Sequence, residues 1–107
     1  MKTLKFDEKF VGPILAGEKT NTWRLFDEKN LKTGDEIEFI NKQTGETFAK
    51  AKLTDVFEKP FKDLTPEDFE GHEKFPSEKE MFETYSKYYG KQVSSQTPVK
   101  IIHFKLL

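Results

Sequence analysis

The sequence predicts an α+β domain: a small β-barrel of five or six short strands, mixed or antiparallel, flanked by two or three short helices. Three observations carry this. About five stretches alternate polar and apolar residues at the strand period. Helix signals fall between some of them but without regular strand–helix–strand alternation, which argues against a doubly wound parallel sheet. Finally, 107 residues with 14% aromatics (11 Phe, 3 Tyr and 1 Trp) hold enough ring area for one core although only 35% of residues are hydrophobic. One domain over residues 1–107 follows from that length. Closing such strands into a barrel would remove their exposed edges.

Thr3–Phe6 alternates and reads as a first strand. Asp7 can cap a helix through Ala16, with Phe10, Ile14 and Leu15 on one face and Gly17 as its stop. Pro13 moves the expected helix start to near Gly12, because proline fits only a first turn. Lys19–Leu25 is rich in threonine and reads as the second strand, followed by a charged loop over 26–31. Lys32-Thr33-Gly34-Asp35 is a turn. Glu36–Asn41 and Thr47–Phe57 form a hairpin around Gln43-Thr44-Gly45. Thr65-Pro66-Glu67 has a cap and a first-turn proline. Ser77-Glu78-Lys79-Glu80 is a capping box, and the helix behind it carries Met81, Phe82, Tyr85, Tyr88 and Tyr89 at helical spacing up to Gly90. Pro98–Leu107 is apolar on both faces, as a central strand is.

Composition excludes several chemistries. There is no cysteine, so disulfides, thiol catalysis and Cys-based metal sites are out, and two histidines, His72 and His103, do not make a His-rich one. No metal and no cofactor is expected. No apolar run reaches the ~20 residues of a membrane helix, and the N-terminus lacks the apolar stretch of a signal peptide. The expected location is the cytoplasm, away from membranes, and the default state is a monomer. A net charge of −1 argues against wrapping nucleic acid by bulk charge. That charge is uneven. Asp63–Glu83 has eight acids against two lysines, while the rest has sixteen basic residues against eleven acidic ones. An acidic helical face thus accompanies a mildly basic body.

The stretch that stands out is Gly17-Glu18-Lys19-Thr20-Asn21-Thr22-Trp23-Arg24. Taken alone, a lysine, two threonines and an arginine near a strand edge are ordinary solvated or packing residues. Gly17, Lys19 and Arg24, however, fit a Gly-x-Lys-x-x-x-x-Arg pattern, preceded by Ile14-Leu15-Ala16 and followed by Lys32-Thr33-Gly34-Asp35 and a closing strand ending His103-Phe104-Lys105-Leu106. In these features the chain resembles the ASCH domains, a family of PUA-like β-barrels, over nearly its whole length. Within that family it most resembles the small bacterial enzymes that hydrolyse N4-acetylcytidine to cytidine and acetate.

The resemblance implies a metal-free amidohydrolase acting on a free nucleoside. It implies Lys19, Thr22 and Glu73 as catalytic residues, with Glu70 as the alternative acid. Arg24, Trp23 and Glu70 are the implied substrate-binding residues, Arg24 positioning the carbonyl and Trp23 offering a stacking platform. Thr22 would attack the acyl carbon, neutral Lys19 would take its proton, and protonated Glu73 would supply the leaving amine. A free lysine has a pKa of about 10.4 and is neutral in only about one molecule in 2,500 at pH 7. Lowering it by about three units costs roughly 4 kcal/mol. Burial and Arg24 push that way and an ionised Glu73 pushes back, so the scheme calls for Glu73 held neutral among Phe69, Phe75 and Trp23. Lys19 and Thr22, three apart, would face opposite ways in a regular strand, so Lys19 is expected in the turn before it, or a bulge between them.

The remaining candidates read as structural. His72 is expected in a surface loop, His103 in the core or at the barrel rim, and Tyr85, Tyr88 and Tyr89 in the core. The alternative function is an RNA-binding ASCH or PUA-like module without catalysis, with Lys19 and Arg24 on phosphates. A third is another ASCH activity, such as nuclease chemistry, in the same cleft. A glutamate in a phosphate site would repel its ligand, which favours the hydrolase.

Overall fold

A computed structural model describes residues 2–27 and 29–107; Met1 and Glu28, the latter within the expected charged loop, lie outside the described residues. Five strands, β1 (Thr3–Phe6), β2 (Asn21–Arg24), β3 (Glu36–Asn41), β4 (Thr47–Pro60) and β5 (Pro98–Leu106), form one mixed sheet in the order β1-β3-β4-β5-β2. β1 and β3 are parallel, and the other pairs are antiparallel. Two α-helices, α1 (Val11–Leu15) and α2 (Glu78–Tyr89), and three 3-10 turns complete it.

The long β4 has the register shift that lets a sheet curl: its pairing with β5 slips between Leu53 and Asp55. The sheet curls into a half-barrel, with β1 and β2 as its two edges. Backbone bonds do not close the seam in the sheet order. Arg24 spans it instead, donating from Nη2 to the Lys5 carbonyl at 2.9 Å with its guanidinium 4.9 Å from the centre of the Phe6 ring.

Two clusters fill the two sides. Leu4, Phe6, Ile14, Ile37, Phe39, Leu53, Ile102 and Phe104 are buried in one cluster, with Phe39 4.8 Å from Phe104 and 4.7 Å from Phe6, centre to centre. Trp23, Phe61, Met81, Tyr85, Val99 and Ile101 are buried between the sheet and α2. β5 sends residues into both clusters, which is why it reads as apolar on both faces.

Most local expectations have visible causes. Asp7 accepts from the Lys9 amide at 3.1 Å and Ser77 from the Glu80 amide at 3.2 Å, each capping its helix start. Pro13 sits in the first turn of α1, which begins at Val11, one residue before the expected Gly12. Thr65 and Asp68 make a reciprocal capping box, but the turn it opens stays 3-10 and ends at Phe69. The second strand is shorter than expected, starting at Asn21 rather than Lys19.

Candidate active site

The turn after α1 decides where Lys19 points. Gly17 takes a positive φ of 78°, and the Glu18 and Lys19 amides both donate to the Pro13 carbonyl. Lys19 therefore lies before β2, free of the alternation that would have aimed it away from Thr22. Within β2, Thr22 and Arg24 share a face, as strand geometry requires. Their side chains meet: Arg24 Nη1 donates to Thr22 Oγ1 at 2.6 Å and to the Trp23 carbonyl at 2.9 Å.

The start of β2 also fixes the segment carrying the acid. The Thr20 and Asn21 amides donate to the Gly71 carbonyl at 2.8 and 3.2 Å. The buried Asn21 side chain donates to the Glu70 carbonyl at 2.5 Å. This stitching brings Glu73 over Lys19, whose Nζ donates to Glu73 Oε2 at 2.8 Å and to the Asn21 carbonyl at 2.9 Å.

Gly71 is the tight point of this stitch. Its φ is 72°, and a β-carbon there would overlap the Thr20 hydroxyl. Gly71→Ala should therefore lower unfolding stability by about 1–3 kcal/mol. A companion Thr20→Ala should recover the part due to overlap and leave the backbone strain. Urea midpoints of the single and double variants check this; an unchanged midpoint for Gly71→Ala would remove the role given to the stitch.

Lys19 is only 5% exposed and Thr22 2%, whereas the Glu73 side chain keeps 35% of its surface. Burial lowers the Lys19 pKa below lysine's ordinary value, against the upward pull of Glu73. For Glu73, burial pushes upward, but His72, which becomes charged in the acid range where the carboxyl titrates, and Lys19 outweigh it and hold the pKa below the usual carboxylate range. The expected neutral Glu73 is thus corrected: at rest the residue is a carboxylate in an ion pair. Its expected walls are corrected too. Phe69 and Phe75 line a separate depression with Phe61 and Met81.

One cavity of about 230 Å³ at the seam between β1 and β2 is bordered by Lys19, Thr22, Arg24 and Glu73 together. Its apolar sides include Phe6, Phe10, Tyr85 and Tyr89. The exposed Tyr88 ring, expected in the core, stands at the wall of this cavity. Trp23 borders the cavity but is 1% exposed, with His72 stacked on it at 3.9 Å and 15°. It forms a wall of the core rather than an open platform. Glu70 has an exposed side chain that does not border the cavity, and only its backbone carbonyl engages β2. Lys19 and Glu73 also border a second, shallower depression with Pro13, Gly71 and His72, so the pair stands between the two.

His72 is the largest departure from expectation. It is buried, 7% exposed, with Nδ1 2.8 Å from the Glu73 carbonyl and Nε2 3.4 Å from Tyr85 Oη and 3.5 Å from Glu73 Oε1. Burial lowers its pKa to about 4, with Lys19 adding to the effect, so the ring is neutral over ordinary pH. Nothing in the local pattern Gly71-His72-Glu73-Lys74 distinguishes a buried ring from a loop one; the stack on Trp23 is a long-range contact. His103 is half-buried beside Phe57, at 6.0 Å between ring centres. Among the described residues no group of histidines and carboxylates has metal-site geometry, and no helix is long and apolar enough to cross a membrane.

Solved structures share this architecture. The ASCH domain of Lactobacillus crispatus superposes with a TM-score of 0.69 at 16% identity, the match covering 90% of this chain and 69% of that one. The chain has the ASCH fold. That fold is PUA-like, and the same half-barrel occurs in protein EF3133 from Enterococcus faecalis, a DUF984 protein (TM-score 0.77, 15% identity, 92% of this chain and 70% of that one). Hypothetical protein PH0355 is 27% identical over the full length of both chains, with a TM-score of 0.74. No protein-family model and no curated protein sequence matches the chain.

Proposed function

We propose that this ASCH-fold chain is a metal-free amidohydrolase that cleaves N4-acetylcytidine, or a closely related N4-acylated cytosine compound, to cytidine and carboxylate. One observation carries the reading: a buried lysine is hydrogen-bonded to a glutamate at 2.8 Å, and both border one small cavity together with a buried threonine. The small volume and the apolar sides suit a nucleoside-sized ligand better than a polymer.

The ion pair supports the chemistry although neither group rests in the form the reaction starts from. Ammonium with carboxylate and amine with carboxylic acid hold the same number of protons. One transfer along the 2.8 Å hydrogen bond interconverts them. A bound, uncharged ligand that displaces water from the 35%-exposed carboxylate favours the neutral form, because desolvation penalises both charges.

Thr22 Oγ1 then attacks the acyl carbon and passes its proton to Lys19. The C–N4 bond breaks as Glu73 gives its proton to the leaving nitrogen. Cytidine departs, an acyl ester remains on Thr22, and the pair is again ammonium and carboxylate. Water attacks the ester and gives a proton to Glu73, and Lys19 returns one to the Thr22 oxygen. The carboxylic acid so formed loses its remaining proton to solvent and leaves as carboxylate, and the starting protonation is restored. Arg24 already donates to Thr22 Oγ1 at 2.6 Å, so the hydroxyl's own proton is free for the base and negative charge developing on that oxygen is stabilised. Tyr88, with its exposed ring, takes over the stacking role expected of Trp23.

The test is incubation with N4-acetylcytidine, following its ultraviolet spectrum to that of cytidine together with acetate release. Turnover is expected, and its absence removes the proposal. The second reading, RNA binding without catalysis, draws on Lys5 and Lys42, which border the cavity and have no ion-pair partner among the described residues. Under that reading RNA retention would weaken steeply with salt and no substrate would turn over.

A further inference from the structure

His72 is placed to do something the hydrolytic scheme leaves unassigned: decide which oxygen of Glu73 carries the acid proton. A backbone carbonyl can only accept, so the 2.8 Å contact between His72 Nδ1 and the Glu73 carbonyl requires the hydrogen on Nδ1. The neutral ring then has a bare Nε2. Two groups lie near that nitrogen: the Tyr85 hydroxyl from α2, hydrogen-bonded at 3.4 Å, and Glu73 Oε1, 3.5 Å away and near enough to close on it. Lys19, from the turn before β2, and Arg24, from β2, disfavour protonation of the ring; the Glu73 carboxylate favours it, but burial is the larger effect and keeps the ring neutral. The ring therefore stays an acceptor.

An ionised Oε1 facing a bare nitrogen gains nothing from it, whereas a protonated Oε1 can donate to it. Lys19 holds the opposite oxygen, Oε2. Were the acid proton to stay on Oε2, it would point at the Lys19 lone pair and occupy the base that Thr22 needs. A half-turn of the neutral carboxyl carries the protonated oxygen to the Oε1 position facing His72; the other oxygen then accepts an N–H from neutral Lys19, and the amine lone pair is free. We infer that His72 is a positioning residue that holds the acid form of Glu73 with its proton on Oε1, and so releases Lys19 to act as the base. This rests on the hydrolase reading. Tyr85 supplies the other half of the device, since its hydroxyl can donate to Nε2 while Glu73 is ionised and give way when Glu73 takes up the proton.

Two measurements on the full chain test it. Nitrogen-15 NMR of His72 should show the neutral tautomer protonated at Nδ1, with Nε2 unprotonated at neutral pH. The tautomer protonated at Nε2 would overturn the inference whether or not the chain hydrolyses anything. For N4-acetylcytidine, His72→Phe keeps a ring on Trp23 and removes both nitrogens. It should lower kcat roughly 10- to 100-fold with KM little changed. His72→Gln, whose amide reaches about as far as Nε2, should recover most of the loss; a purely structural histidine would show the reverse order, with the aromatic substitute tolerated better. Equal kcat in His72→Phe and wild type overturns the positioning role while leaving the hydrolase reading in place. Inactivity of the wild type removes the hydrolase reading first, and this role with it.

Discussion

Lys19→Met should lower kcat/KM for N4-acetylcytidine by about 10³-fold or more, the range expected when a general base is removed. Methionine keeps the length of the side chain and removes only its proton chemistry. The fold should survive. Lys19 is a desolvated ammonium, and removing one partner of an ion pair is costly chiefly where the other is left as a buried, uncompensated charge. The Glu73 carboxylate left behind keeps 35% of its surface and can be hydrated. The loss should therefore appear in rate and hardly in the urea midpoint. Thr22→Val, close to isosteric, should remove turnover as completely, while Thr22→Ser should keep a measurable part because the nucleophilic oxygen remains. Combining Lys19→Met with Glu73→Gln should cost little more than either alone, because the two groups act as one proton-exchanging unit. A Lys19→Met variant within tenfold of wild type would show that the base lies elsewhere.

The pattern of the sequence exposes what local chemistry writes and hides what the fold assembles at a distance. Strand alternation, the Asp7 and Ser77 caps and the two-faced β5 all follow from neighbours within a few residues, and each stands in the structure. Half-barrel rather than full closure was not legible, because it depends on how far β1 and β2 end up apart, a gap that the Arg24 side chain spans. That Glu73 rather than Glu70 meets Lys19 depends on the Gly71 stitch, which joins residues some fifty positions apart. The charge of Glu73 turned on His72 and Lys19 outweighing burial, a balance no spacing encodes. Tyr88 could have been suspected, since Met81 and Tyr85 define the buried stripe of α2 at four-residue spacing and Tyr88 lies one position short of its next step.

Acidification from pH 7.5 to 4.5 should remove about 2–3 kcal/mol of unfolding stability through His72 alone. Its folded pKa is lowered to about 4 from an ordinary 6.5, chiefly by burial. Above pH 6.5 both states are neutral and the stability is fully present. Between 6.5 and 4 the unfolded chain takes up a proton that the folded ring refuses, so stability falls steadily with pH and the loss is complete below about 4. The carboxylates act lower down. Burial raises the pKa of Asp68 and Asp27, but hydrogen bonds to Lys59 and Lys100 lead the contacts that bring each below its ordinary value, so both lose stability only as pH approaches the carboxylate range. Glu73 behaves likewise. The interval between 6.5 and 4.5 therefore isolates the histidine. Urea midpoints across it should slope downward for the wild type and run nearly flat for His72→Phe, which has no proton to refuse. An equally steep slope in that variant would mean that the acid sensitivity belongs to other groups and that the ring stacked on Trp23 is hydrated enough to titrate normally.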